Sequence, residues 1–121
     1  MTDQRILAID PGLRELGFAV LQGKRLLAAG VRPLRLLPRE ERRTEARRLV
    51  RGWLRTFSPD ALIIEATYGH PVPWLAELSR VARTVEREAK RRRIRVVRYA
   101  PQAVRKTVAG YGRATKRETA E

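Results

Sequence analysis

The chain has no cysteine, so neither a disulfide nor a thiolate metal site can form. It has one histidine, His70, too few for a histidine-based zinc site. Any metal must therefore be a hard cation held by carboxylates. No apolar run approaches the roughly 20 residues of a membrane span, and the start MTDQRILAID lacks the layout of a signal peptide. A soluble, cytoplasmic protein with no membrane partner is expected. Repeats, low-complexity stretches and internal linkers are also missing, so residues 1–121 are expected to form one domain, long enough to bury a core.

Acidic residues are scarce. Lys and Arg number 27 against 13 Asp and Glu, leaving a net charge of +14. A field of that size on a small domain points to a polyanion, with nucleic acid first among candidates. Arginine suits two-point phosphate contact. Its abundance also follows from a GC-rich genome, so the bias toward arginine adds little to the argument.

Arg5 to Asp10 is a short apolar run ended by Pro11-Gly12 and reads as a buried strand. Gly17 to Leu21 is a second, and a turn at Gln22 to Arg25 leads into a third, Leu26 to Val31. Connections this short predict antiparallel pairing. From Pro38 to Phe57 the period becomes helical, with Ala46, Leu49, Val50, Trp53, Leu54 and Phe57 on one face. Ser58-Pro59-Asp60 stops that helix, and Ala61 to Glu65 is a buried strand. A second helix is predicted over about Trp74 to Arg93, with a seam of Leu75, Leu78, Ala82, Val85 and Ala89 and an Arg-rich far end. That seam fits either the chain's own sheet or a second copy. Ile94 to Tyr99 is a fifth strand, a third helix is expected from Pro101 to Gly110, and Thr115 can cap a last one. The expectation is an α/β fold with a five-stranded mixed sheet, antiparallel meander plus parallel strands, flanked by helices.

Asp10 closes the first strand and Glu65 the fourth. If those strands are neighbours, two carboxylates meet at one edge of the sheet, where α/β sheets bind ligands. In a protein without usable histidine or cysteine ligands, such a pair suits Mg²⁺, and two ions can support phosphodiester hydrolysis. A single carboxylate closing a strand is commonly a solvated turn residue or cap. The pair is more informative, because each acid ends a run that should be buried.

The stretch Ile9 to Val20 (IDPGLRELGFAV) resembles the opening motif of the RuvC-type Holliday-junction resolvases. Ile64 to Tyr68 (IEATY) is similar to that family's second motif, and Tyr99 to Lys116, with its Gly-Tyr-Gly step, to the third. The three occur in family order over nearly the whole chain. The resemblance implies an RNase H-like fold, a homodimer expected to form through the seam of the second helix, two Mg²⁺ ions and paired nicks at a four-way DNA junction, with a branch-migration helicase as a further partner. By matching position, Asp10 and Glu65 would be catalytic metal ligands and Lys106 and Lys116 catalytic basic residues. Tyr68 would push into the junction, and Arg105 and Arg113 would bind substrate. Tyr68 also suits packing at a loop base, and Lys106 suits any exposed helix face. Trp53 and Trp74 fit core or interface, and His70 a loop.

The family completes its acidic site with carboxylates on a closing helix, whereas this sequence stops five residues after Lys116. Glu118 and Glu121 come too early to match them, so the C-terminal helix is expected to be missing. A junction-resolving endonuclease is the leading expectation. A non-cleaving branched-DNA-binding module of the same fold, a basic ribonucleoprotein component and an RNase H-like nuclease acting on RNA are the alternatives. The aromatic after Glu65 and the Gly-Tyr-Gly segment argue against the last.

Overall fold

The computed structural model of the chain describes residues 3–65 and 73–99, with the side chains of Glu65 and of residues 73–75 left aside. Strands β1 (Arg5–Asp10), β2 (Glu15–Gln22) and β3 (Arg25–Pro33) come first. Helix α1 (Arg39–Phe57), strand β4 (Ala61–Glu65), helix α2 (Pro73–Arg91) and strand β5 (Arg95–Tyr99) follow. One sheet takes the strands in the order β3-β2-β1-β4-β5. β1 pairs with β2 and β2 with β3 antiparallel, while β1 with β4 and β4 with β5 are parallel. Both expected halves of the mixed sheet are present, though β2 and β3 run longer than their apolar stretches.

Short turns dictate the meander. Gly23 has a positive φ of 59°, and Gln22 pairs directly with Arg25, so two residues turn the chain. A bulge between Val20 and Leu21 takes up the additional residue of β3. At the far end of β1, the Arg5 N–H donates to Asp60 Oδ2 at 2.8 Å, and the Asp60 N–H donates to the Arg5 carbonyl at 2.8 Å. The Arg5 guanidinium also reaches the Phe57 carbonyl and Gln22 Oε1. These contacts tie the start of β4 to the start of β1 and thereby set the register in which both strands arrive at their C-terminal ends.

Alternation along the strands divides the sheet into two faces. Leu7 and Ile9 of β1, Leu16, Phe18 and Val20 of β2, and Leu62 and Ile64 of β4 share one core with both helices. Trp53 of α1 stacks on Phe18, with ring centroids 4.1 Å apart and planes 20° from parallel. Ala8, Asp10, Gly17 and Ala19 belong to the opposite face. α1 ends at Ser58, in the left-handed conformation, whose N–H caps the Leu54 carbonyl. α2 ends through Arg93, also left-handed, with the Ile94 N–H on the Ala89 carbonyl.

The seam of α2 corrects one expectation. Leu78, Ala82, Val85 and Ala89 are buried in the chain's own core, against α1 and the sheet. They are satisfied within the chain, so helical periodicity there gives no support to a dimer through this seam. The helix predicted over Pro101 to Gly110 and the Thr115 cap lie outside the described residues.

Candidate active site

β1 and β4 lie side by side in parallel register, with Ile9 opposite Ile64. Each strand continues by one residue, to Asp10 and to Glu65. The acidic positions foreseen from sequence are therefore neighbours at one sheet edge. On the other side of Asp10, Gly17 is its antiparallel partner, and Tyr99 of β5 is the partner of Glu65. Asp10 is half-buried, and an added Cβ at Gly17 would touch the Asp10 Cβ at 3.5 Å. The glycine leaves room beside the carboxylate.

The loop after Asp10 is tightly held. A Cβ on Gly12 would meet the Glu15 carbonyl oxygen at 2.6 Å, so the chain folds back on itself where only glycine fits. The Arg14 carbonyl accepts from the Leu34 and Arg35 N–H groups, at 2.7 and 3.0 Å. Arg42 of α1 then fixes the arrangement from the helix side. Its Nε donates to the Leu37 carbonyl and its Nη1 to the Leu13 carbonyl, both at 3.1 Å, and its Nη2 to the Arg35 carbonyl at 3.4 Å. One guanidinium thus joins the loop after β1 to the segment between β3 and α1. Nothing in the sequence separated Arg42 from the other arginines of α1. Its partners are backbone carbonyls, which carry no signature in side-chain pattern.

Both helices start at this end of the sheet. Leu13 lines a small cleft together with Arg39 and Arg42 from the first turn of α1 and Glu77 and Val81 from the start of α2. Further along α2 lie two buried carboxylates that the sequence analysis did not single out. Glu86 is held by a two-point contact from Arg98 of β5, Nε to Oε1 and Nη2 to Oε2, each 2.6 Å. Glu88 takes Arg51 of α1 in a fork at 3.4 and 3.2 Å, with Arg91 nearby. Burial pushes the Glu86 carboxyl up, opposed by the charges of Lys90 and Arg83. The hydrogen bond from Arg51 holds Glu88 below the usual carboxylate range, against a smaller desolvation effect. The Arg51–Glu88 pair joins the two helices, and the Arg98–Glu86 pair ties α2 to β5 one residue before the end of that strand.

Among the described residues, no group of three or more His, Cys, Asp or Glu stands ready to hold a metal ion. Asp10 and the position of Glu65 offer two carboxylates, a donor set that fits a hard cation completing its shell with water or phosphate oxygens. Tyr68, His70, Arg105, Lys106, Arg113 and Lys116 lie outside the described residues. Trp53 is a core residue.

A mixed sheet ordered in this way, with helices across one face, is the RNase H-like fold, here with acidic residues at the tips of adjoining parallel strands. Residues 6–121 match the family described as Crossover junction endodeoxyribonuclease RuvC. The chain is 37% identical over 120 residues to the RuvC of Rhodopseudomonas palustris, covering 94% of this chain and 69% of that protein. It is 35% identical to the RuvC of a Nocardioides species, covering 93% of this chain and 67% of the relative. Among solved structures, Thermus thermophilus RuvC in complex with a Holliday junction substrate superposes with a TM-score of 0.72 at 25% identity. That superposition covers 85% of this chain and 68% of the other. The chain belongs to the RuvC family of crossover junction endodeoxyribonucleases. It spans about two thirds of the length of these relatives.

Proposed function

We propose that this chain is a structure-selective DNA endonuclease that resolves four-way junctions by Mg²⁺-dependent phosphodiester hydrolysis. The observation that carries the reading is the parallel register of β1 and β4, which sets Asp10 and Glu65 side by side at the sheet edge. In this reading residues 1–121 act as one nuclease domain. Asp10 and Glu65 hold the metal. Bound there, Mg²⁺ lowers the pKa of water and stabilises charge on the phosphate oxygens, two ions being expected. Asp10 is kept in place by the Arg42-clamped loop beside it, and Gly17 leaves the substrate side of the carboxylate open. Lys106 and Lys116 are assigned to the scissile phosphate, Tyr68 to stacking on an exposed base, and Arg105 and Arg113 to backbone contact. A second copy is expected to cut the opposite strand, given the two-fold nature of the junction. It would dock through a surface other than the α2 seam, and a branch-migration helicase is the expected further partner.

The test is nicking of a labelled four-way junction by the wild type and by Asp10→Asn and Glu65→Gln, beside a gel-shift on the same DNA. Cutting should vanish in both variants while junction affinity stays within a few-fold. Cutting that persists in a variant removes that residue from the site. A wild type that binds the junction without nicking it in Mg²⁺ points instead to a binding module.

A further inference from the structure

We propose that the groove between α1 and α2 is a second phosphate-binding site, lined by residues other than the strand-end carboxylates, which takes the backbone of a duplex DNA arm. The proposal rests on the reading of the chain as a DNA-acting protein. The two helices pack through a dry layer that includes Ala46, Val50, Val85 and Ala89. Above that layer opens a cavity of about 300 Å³, lined by Glu40, Arg43, Thr44, Arg47, Thr84 and Arg87. Arg43 and Arg47 are one helical turn apart on the same face of α1. Arg87 faces them from α2, and all three are exposed.

What sets this cluster apart is that three arginines without a paired counter-charge line one groove. Arg48, Arg51, Arg80, Arg91 and Arg98 each have a glutamate partner within 4 Å. Arg43, Arg47 and Arg87 have none among the described residues. Glu40, the one carboxylate in the lining, forms no ion pair with them and lies in the first turn of α1, where the helix dipole favours an acid. Three guanidinium groups lining one groove with no carboxylate paired to them repel one another, and an anion bound among them offsets that repulsion.

The lining also selects the ligand. Guanidinium forks match phosphate oxygens in two-point contacts. The Thr44 side chain is exposed and its hydroxyl is available to donate, while the Thr84 hydroxyl is already donating to the Arg80 carbonyl. Among the described residues no aromatic side chain lines the groove, so it offers unpaired bases no stacking platform. Arginines spread over more than a helical turn suit successive phosphates of a polymer better than one free ion. The contact would be blind to base sequence, which is what positioning an arm requires.

The triple variant Arg43→Gln, Arg47→Gln, Arg87→Gln in the full chain tests this, beside a control that removes the same charge at the exposed Arg25, Arg32 and Arg55. Both are first confirmed as folded by circular dichroism. Binding of a labelled four-way junction and of linear duplex is then followed across salt concentration. In the groove variant the slope of log K against log salt should fall by about 0.9 per lost phosphate contact, so by about 2 to 3, with a loss of affinity on the order of tenfold or more at moderate salt. The control should lose clearly less. An unchanged slope in the folded groove variant overturns the proposal, and so does an equal loss in the control. If the wild type neither prefers nor cuts junctions but the groove variant alone loses duplex affinity, the junction reading fails and this site stands.

Discussion

Gly17 sits directly across from Asp10 in the antiparallel pair of β2 and β1, with room for a methyl group and little more before the acid's own Cβ is touched. Directly paired residues project to the same face of a sheet, so the size of residue 17 controls the space beside the Asp10 carboxylate.

Gly17→Ala should therefore keep junction cleavage within a few-fold, because the new Cβ meets Asp10 at ordinary contact distance. Gly17→Val puts two further carbons against the carboxylate. Displacing a reacting group by about 1 Å can cost on the order of 10²-fold in rate. Single-turnover nicking should show a loss of that order for valine with junction affinity little changed. Equal rates for glycine and valine would show that residue 17 does not border the reacting phosphate.

Arg42 is expected to matter beyond its charge. Arg42→Ala strands the carbonyls of Leu13, Arg35 and Leu37 together, and should lower stability by roughly 1–3 kcal/mol. Arg42→Lys should recover little of it, because an ammonium on a flexible stem cannot span three carbonyls as the planar fork does. Urea melts of the three proteins give the comparison. A lysine variant as stable as the wild type would reduce Arg42 to a generic cation.

Stability in acid should depend on Glu88. Its carboxyl titrates below the usual range when folded, because Arg51 hydrogen-bonds to the ionised form. A depressed folded value contributes stability that is present at neutral pH and is lost as the pH falls through that value. Glu86 runs the other way. Burial raises its folded value, so its contribution is fully present in acid and is lost as the pH rises through that value. Glu88→Gln should thus lower Tm at neutral pH and flatten the fall of Tm on acidification. A wild type and variant with parallel pH profiles would dissociate Glu88 from the acid transition.

The Phe18–Trp53 stack predicts a large core effect. Trp53→Ala should cost about 3–5 kcal/mol, enough to leave a domain of this size marginal, whereas Trp53→Phe should retain most of the packing. Thermal melts read by circular dichroism distinguish them. A Trp53→Ala protein with near-native Tm would mean that the helix does not depend on this contact.

How legible was this in the sequence? Where burial imposes a period, the elements could be read directly. The α1 face ending in Trp53 and Phe57 is packed as its spacing implied, and the apolar runs before Asp10 and Glu65 are central strands. Their adjacency followed from the short meander and a single helical return. What periodicity cannot say is which surface an apolar face meets. The seam of Leu78, Ala82 and Val85 fitted two partners equally well, and only the packing of α1 beside α2 shows that the chain itself fills it. Buried charged residues escape the sequence for a related reason. Glu86 and Glu88 look like surface positions until Arg98 and Arg51 arrive from other elements to neutralise them. Arg42 was invisible because its partners are carbonyls.

The register of β1 against β4 also has a bearing on how the molecule is born. The meander joins residues close in the chain, so its hairpins can close early and at small entropic cost. The contact between Arg5 and Asp60 spans 55 positions, and the same long loop must close before Asp10 gains its acidic neighbour. The cutting edge should accordingly be the last part of the sheet to assemble. A half-folded chain would hold a meander and yet be harmless to DNA. Pulsed hydrogen exchange during refolding should show protection in β2 and β3 before β4, and the onset of nicking should follow the slower of the two.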